Sequence, residues 1–257
     1  MTDHRLPRSP LADPGRYPGD RPAGDYLLIG AQVRPLRVAA DGWRIDPADA
    51  DRDGRPGLLH DLLGEPLHAR IPVVAFGSNA APAQLAAKFG PVDSVIPVTR
   101  ARLRGFVTGH SPHVSAAGYV PWVLVDHPDA VLDCAVLWLD RWQRARLDST
   151  EPNYVLTSGD PARHPLRVPA VPATIGYWVY RGRWGALRWP GDERPAGAGT
   201  QAEVFARLGR FGWFRDLVGD GALADRQQRL AADATLRDRV RDELAARGLA
   251  ASDGWPG

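Results

Sequence analysis

The fold is decided by residues 71–88, which read IPVVAFGSNAAPAQLAAK. Residues 71–76 are apolar and rich in β-branched side chains, so they predict a buried strand. Gly77-Ser78-Asn79 interrupts this run. Pro82 then favours the first turn of a helix, because the N–H that proline lacks would have no partner there. The stretch therefore predicts a strand, a tight turn and a helix over 82–89.

The turn at Gly77-Ser78-Asn79 admits two interpretations. Glycine accepts backbone conformations that are closed to other residues, and asparagine tolerates the left-handed region. Successive N–H groups of such a turn can therefore point one way and bind a carboxylate or a phosphate. The alternative is an ordinary connection between a strand and a helix.

The composition is that of a globular protein. Its 257 residues, of which 44% are hydrophobic and 24% charged, can bury a core in one large domain or two small ones. A net charge of +2 gives no support for a nucleic-acid partner. Of the 32 basic residues, Lys88 is the only lysine, which indicates a codon bias rather than a binding surface.

The cellular location of the protein is limited by its cysteine content and by its lack of long apolar runs. Cys134 is the only cysteine, which excludes an intrachain disulfide and disfavours a cysteine-based metal site. The first residues, 1–5, are polar, and no run approaches the ~18 apolar residues of a membrane span. We therefore expect a cytoplasmic protein with no membrane partner, and its oligomeric state stays open.

The composition changes along the chain divide it into four segments. Residues 1–24 are rich in Pro, Arg, Asp and Gly and predict a mobile arm. Residues 25–70 predict an extension that packs on the next segment and contains a hairpin at Asp41-Gly42. Residues 71–190 hold most of the predicted strands, and residues 191–257 predict a linker and an amphipathic helical tail.

The predicted strands are short and numerous. They span 71–76, 94–98, 102–108, 119–125, 131–139, 153–157 and 172–180, and the predicted short helices span 57–64, 82–89 and 141–148. Many short strands with few long helices favour an α+β fold, built on a small barrel or a curled sheet with flanking helices.

A second informative stretch, LDSTEPNY at residues 147–154, follows a predicted strand and a short helix. Glu151 lies at the mouth of this acidic turn. Its carboxylate is either a solvated loop acid or, where it faces a cavity, a candidate general acid and base.

Together the two stretches resemble a known family. Residues 76–79, Phe-Gly-Ser-Asn, are similar to the Y-G-S-N signature of the γ-glutamylcyclotransferase-like superfamily, and residues 147–151 are similar to its L-D-x-x-E segment. The motifs occur in the family order, about 70 residues apart, and the resemblance covers roughly residues 71–180. It implies a small mixed β-barrel flanked by helices and an enzyme that needs no metal and no organic cofactor.

The resemblance also implies roles for individual residues. Gly77, Ser78 and Asn79 would bind the α-carboxylate of a small-molecule γ-glutamyl substrate. Glu151 would take a proton from the α-amine, which attacks its own γ-carbonyl and expels the attached amine as 5-oxoproline forms. Further substrate contacts are expected from Phe76, Tyr154 and Tyr177.

The chain departs from the family pattern at three positions. Phe76 replaces a tyrosine, Ala80 follows the asparagine where a larger apolar residue is common, and Pro152 follows Glu151 where glycine is often found. These changes indicate a diverged substrate. Two other functions stay open: a non-catalytic barrel that binds a small molecule or anion, and an amidase or acyltransferase that uses the same pocket.

The leaving amine would be recognised by side chains. The tryptophans of the aromatic-rich region 177–189 suit core or edge packing, and the alternative is a wall that favours apolar or cationic amines. His110 and His113 are candidates at the rim of the pocket. Two histidines without further ligands indicate a polar loop rather than a zinc site.

Overall fold

The computed structural model describes residues 6–39, 42–45, 59–90, 95–169, 171, 174–195 and 197–255. Within them the chain has an α+β fold built on a large, mostly antiparallel sheet. The strands are β1 (Tyr26–Ile29), β2 (Gln32–Ala39), β3 (Gly42–Ile45), β4 (Ile71–Ala75), β5 (Val95–His110), β6 (Trp122–Leu139), β7 (Tyr154–Ser158), β8 (Leu166–Arg167), β9 (Trp178–Gly182), β10 (Ala186–Leu187) and β11 (Ala250–Ala251). The α-helices are α1 (Leu59–Leu63), α2 (Pro82–Phe89), α3 (Arg141–Asp148), α4 (Gln201–Leu208), α5 (Gly212–Val218), α6 (Leu223–Ala232) and α7 (Ala234–Ala246).

A long hairpin of β5 and β6 forms the centre of the sheet. The sequence predicts two shorter strands in place of each, with breaks at residues 99–101 and 126–130. β5 instead runs without a break through residues 99–101. It bulges at Gly105, where the register shifts between Arg104 and Phe106, and residues 127–130 of β6 have no partner on β5. Gly105 has φ +87°, and a Cβ on it would collide with Nδ1 of His164. Glycine and proline are therefore bulge residues here rather than strand ends.

The sheet is open. Its strands follow the order β3-β2-β1-β5-β6-β4-β9-β7, with β8 paired to β5 outside this path. The parallel pair β4–β9 makes the sheet mixed, as predicted. A barrel would require the two end strands to pair. Within the described residues β3 and β7 do not pair, so the sheet does not close and the predicted small β-barrel is wrong.

The strand-turn-helix of residues 71–89 forms as predicted. β4 lies between β6 and β9, and its last residues are buried. Ser78–Ala80 form a 3-10 turn, after which Pro82 begins α2 and Gly90, with φ +75°, ends it. The described non-glycine residues have no positive φ, so the left-handed region considered for Asn79 is not used.

The segment before the sheet packs against it. Tyr17 is only 5% exposed, and its ring stacks on Tyr119 with the centroids 4.4 Å apart. This placement differs from the expected mobile arm over residues 1–24, of which residues 1–5 lie outside the described part of the chain. β1 continues from this segment and pairs with β5, so residues 26–29 belong to the main sheet. The division of the chain into domains stays a prediction.

The C-terminal helices form a second apolar cluster against the loop of residues 111–121, which joins β5 to β6. Phe205, Phe214 and Leu230 are fully buried in this cluster with Val120 of the loop. Oε1 of Gln201 accepts a hydrogen bond from Val120 N, and Nε2 donates to Val120 O, both at 2.8 Å. The helical tail therefore holds the loop in place.

Candidate active site

A cavity of about 160 Å³ opens where the turn after β4 meets α2, the loop 111–121 and the turn before β7. It has room for a small molecule, because one water needs only about 10–15 Å³ of such cavity volume. The N-terminal segment closes part of it with Leu11 and Tyr17. The main polar lining residues are Ser78, Asn79, Gln84, Lys88, His113, Ser115, Tyr119, Glu151, Tyr154 and Tyr180.

Glu151 and the 77–79 turn meet in this cavity. Oε1 of Glu151 accepts hydrogen bonds from Nδ2 of Asn79 at 2.8 Å and from Nζ of Lys88 at 2.5 Å. Lys88 also donates to Oδ1 of Asn79 at 2.8 Å, which closes a triangle of three side chains. The Lys88 and Glu151 side chains are 7% and 12% exposed. The carboxylate is therefore a cavity group and not a solvated loop acid.

The second carboxylate oxygen of Glu151 is free. Oε2 accepts no hydrogen bond from another described residue, and it is not among the fully buried atoms that lack a partner. The backbone around it is fixed, because Glu151 N donates to Asp148 O and Glu151 O accepts from Tyr154 N, both at 3.1 Å. Oε2 is thus an accessible acceptor on a fixed backbone.

Local sequence signals explain why Glu151 is positioned here. Asp140 and Gln143 form a capping box that starts α3. Leu147, fully buried, anchors the end of α3. Glu151 then follows in the turn that leads into β7, on the same side as the turn after β4.

Arg21 orients the peptide groups of the 77–79 turn. Its guanidinium donates to Phe76 O, and to Gly77 O at 3.1 Å. In a trans peptide the C=O and the following N–H point in opposite directions, so the N–H groups of Gly77 and Ser78 point away from Arg21. The N–H groups of Gly77, Ser78 and Asn79 donate to no other described residue. They can therefore bind an anion.

Two tyrosines border the cavity from the side of the N-terminal segment and the loop. Burial raises the pKa of Tyr119 to about 12 and that of Tyr17 still further, and the negative charge of Glu151 contributes to both shifts. The oxygen of Tyr17 accepts a hydrogen bond from Trp122 N at 2.9 Å. Both phenols are neutral at physiological pH, so each keeps a hydrogen to donate.

Two further tyrosines support the wall on the other side. Tyr154 donates to Trp122 O at 2.9 Å, and Tyr180 donates to Oδ1 of Asp148 at 2.6 Å. Burial raises the pKa of both phenols. Their hydroxyl hydrogens are used within the protein, so these residues shape the cavity.

The structure brings most of the predicted site residues together. Phe76, Gly77, Ser78, Asn79, Glu151 and Tyr154 all line the cavity. Tyr177 does not: it is buried in the core, its hydroxyl donates to His164 O at 2.9 Å, and it is excluded from the cavity lining. The catalytic and binding roles of the lining residues stay predictions.

The predicted aromatic wall at 177–189 is also absent from the cavity, to which this region contributes Tyr180 alone. Trp178 and Trp184 are 40% and 38% exposed, and Trp189 stacks on Phe211. The predicted preference for apolar or cationic amines therefore loses its structural basis.

The two candidate histidines differ in position. His113 lines the cavity, and its Nδ1 lies 2.6 Å from Oγ of Ser111. Burial lowers the pKa of His113 to about 3, with the charge of Arg241 adding to the shift, so the ring is neutral at physiological pH. His110 lies outside the cavity, where its Nε2 accepts a hydrogen bond from Gly199 N at 3.1 Å.

Several residues of the site were not identified from the sequence. Gln84 and Lys88 lie one helical turn apart on α2, a spacing that puts them on one face, and Lys88 is conspicuous as the only lysine. Tyr17 and Arg21 carry no local pattern that could have identified them. Among the described residues, no cluster of three or more His, Cys, Asp or Glu side chains could hold a metal ion.

Comparisons with known proteins give distant likenesses. No family model matches the chain, and no curated protein matches it. The chain is similar to a solution structure of a protein from Arabidopsis thaliana, with 16% identity, a TM-score of 0.36 and coverage of 57% of this chain and 81% of that chain. It is also similar to a structure named gamma-glutamyl cyclotransferase, with 12% identity, a TM-score of 0.37 and coverage of 67% and 98%. In the part of the chain that the structure describes, no helix is long and apolar enough to cross a bilayer.

Proposed function

We propose that this protein is a γ-glutamylcyclotransferase-like enzyme. It cyclises a γ-glutamyl amine or peptide to 5-oxoproline and releases the amine, with Glu151 as general acid and base. The observation that carries the proposal is the hydrogen bond from Asn79 to Glu151, which joins the two motifs of the resemblance in one cavity. The reaction needs only the two functions that the cavity offers, an anion-binding turn and a free carboxylate oxygen.

Substrate binding follows from the free groups of the cavity. The α-carboxylate accepts hydrogen bonds from the N–H groups of the 77–79 turn, whose orientation Arg21 supports. The α-ammonium then lies against Oε2 of Glu151. Holding both ends of the glutamyl group folds its chain, so that the amine approaches the γ-carbonyl and the attack becomes an oriented intramolecular step.

The proton transfers balance through Glu151. An α-amine has a pKa of roughly 8 and is mostly protonated at neutral pH, so it must lose a proton before it can attack. Glu151 takes that proton and returns it to the leaving nitrogen as the C–N bond breaks. The new ring nitrogen loses its second proton as the lactam forms. The released amine takes up this proton and leaves as an ammonium ion.

The developing charge on the γ-carbonyl oxygen requires a hydrogen-bond donor. Tyr17 is suited to this role, because it is neutral, buried and lines the cavity. Its oxygen accepts from Trp122 N, and its own hydrogen is donated to no other described residue. A neutral phenol keeps its O–H hydrogen and can donate it to this oxygen, whereas a phenolate could not.

The test is product analysis on a panel of γ-glutamyl amines and peptides. We expect 5-oxoproline from the wild type and a loss of about 10²–10⁴-fold in Glu151→Gln, because the amide keeps the shape but accepts no proton. Glu243→Gln, on the surface beside Arg247, is the control for the substitution itself, and thermal melting monitors folding. Free glutamate as the product would indicate the amidase alternative, and binding without turnover would indicate the non-catalytic one.

A further inference from the structure

Lys88 is an exception in this chain. Of 32 basic residues it is the only lysine, and it occupies a buried place at the centre of the candidate site, with its side chain 7% exposed. All the other residues in this count are arginines. An ammonium differs from a guanidinium in being compact and in directing its three hydrogens to separate acceptors.

The contacts of Lys88 use that difference. Nζ donates to Oε1 of Glu151 at 2.5 Å and to Oδ1 of Asn79 at 2.8 Å. Because Lys88 requires an acceptor, the Asn79 amide must turn its oxygen towards it, which leaves Nδ2 to donate to Glu151. Both donors therefore reach the same carboxylate oxygen, and Oε2 is left for the substrate.

We propose that Lys88 is the positioning residue of this site: it holds Glu151 and Asn79 so that Oε2 faces the substrate amine. The proposal rests on the proposed function for its catalytic consequence. The arrangement of the three side chains concerns the protein alone and can be observed without turnover.

The groups around Glu151 make Lys88 the electrostatic partner of that carboxylate. The titratable side chains that surround Glu151 are Lys88 of α2, Tyr17 of the N-terminal segment, His113 and Tyr119 of the loop, Tyr154 of β7 and Tyr180 of β9. The four phenols and the imidazole are neutral at physiological pH. Asp148 lies behind Tyr180 and is paired with Arg144. Among the described lining residues, Lys88 thus carries the one charge opposite to that of Glu151.

The decisive experiment observes the side-chain amide of Asn79 by NMR in the full-length protein. The chain has two asparagines, so selective ¹⁵N labelling gives few side-chain amide signals, and Asn79→Asp assigns the relevant one. Because Lys88 fixes the amide oxygen of Asn79, we expect the Nδ2 hydrogens to exchange faster with water and their signals to shift in Lys88→Met. Unchanged exchange and unchanged signals in Lys88→Met would overturn the proposal.

Kinetics distinguish positioning from a purely structural role. In Lys88→Met we expect kcat to fall by about 10–10²-fold with little change in KM, and Lys88→Arg to recover part of this loss. Loss of thermal stability with an unchanged kcat would contradict the proposal. Where Lys88→Met does not fold, Lys88→Gln is the second neutral variant. If the wild type released no 5-oxoproline, the proposed function would fail, while the Asn79 amide signals would still decide the role of Lys88.

Discussion

The hydroxyl of Tyr17 occupies the space in which a side chain at position 77 would begin. A Cβ on Gly77 would lie 2.7 Å from this oxygen. The Tyr17 ring cannot easily yield, because it is buried and stacked on Tyr119. Glycine is therefore required at position 77 because the Tyr17 hydroxyl lies so close. The backbone there, with φ −100°, does not itself require glycine. The turn and the N-terminal segment are therefore built to fit each other.

Gly77→Ala is expected to displace Tyr17 and to lower the free energy of unfolding by about 1–3 kcal/mol, as overpacking of a filled site does. The additional substitution Tyr17→Phe removes the opposing oxygen and should recover part of this loss. Urea denaturation of the two single variants and the double variant measures the coupling. Strictly additive effects would show that the two positions do not compete for this space.

Local signals account for the parts of the site that sequence reasoning identified. The helix over 82–89 follows from Pro82 at its first turn, and α3 follows from a capping box. Each of these signals acts within a few residues. These signals place the 77–79 turn and Glu151 next to β-strands, and the resemblance to a family motif then assigned them to one site.

The missed parts depend on contacts between distant residues. Tyr17 bonds to Trp122, 105 positions away, and no pattern within residues 6–24 reveals this partner. The prediction that Tyr177 contacts the substrate failed for a different reason. Side chains alternate across a strand, so positions 177 and 180 face opposite sides. Of these two tyrosines, Tyr180 alone reaches the cavity. Closure of the sheet is a global property, which short strand patterns do not encode.

Arg21→Met should weaken substrate binding more than it slows chemistry. The substitution removes two hydrogen bonds to the carbonyls of Phe76 and Gly77, so the N–H groups of the turn lose their fixed direction. We expect KM for a γ-glutamyl substrate to rise by about tenfold, equivalent to about 1.4 kcal/mol, with a smaller change in kcat. Steady-state kinetics of 5-oxoproline release measures both constants.

Arg16→Met is the control for that variant, because Arg16 lies in the same segment and forms an exposed pair with Asp20. Exposed pairs contribute about 0–1 kcal/mol, so its kinetics should match the wild type. Equal effects of the two substitutions would show that Arg21 acts only through the general packing of the segment.

Gln84→Met is expected to stabilise the protein while impairing function. Gln84 is 1% exposed, and both polar atoms of its side chain lack hydrogen-bond partners among the described residues. Such buried groups cost about 1–3 kcal/mol each, and a residue that tolerates this cost while lining the cavity is expected to serve a ligand. Urea denaturation should show a higher free energy of unfolding for Gln84→Met, and a binding measurement should show weaker affinity for the substrate.

Gln201→Met provides the contrast. Gln201 is equally buried, but its side chain bonds to both the N–H and the C=O of Val120. Its replacement should therefore lower the free energy of unfolding by about 1–3 kcal/mol. A loss of stability in both variants would show that Gln84 has a partner in solution.

The stability of the fold should decline as the pH falls below neutrality, in part through His110. Burial lowers its pKa from 6.5 to about 4, so between these values the unfolded chain binds a proton that the folded chain does not, and acid favours unfolding. His110→Gln keeps an acceptor for Gly199 N and removes this proton. The slope of the free energy of unfolding against pH between 6 and 4.5 should then fall by up to about 1.4 kcal/mol per pH unit relative to the wild type. Substitution of the exposed His68 should leave the slope unchanged, and an unchanged slope in His110→Gln would mean that His110 is already protonated in the folded protein.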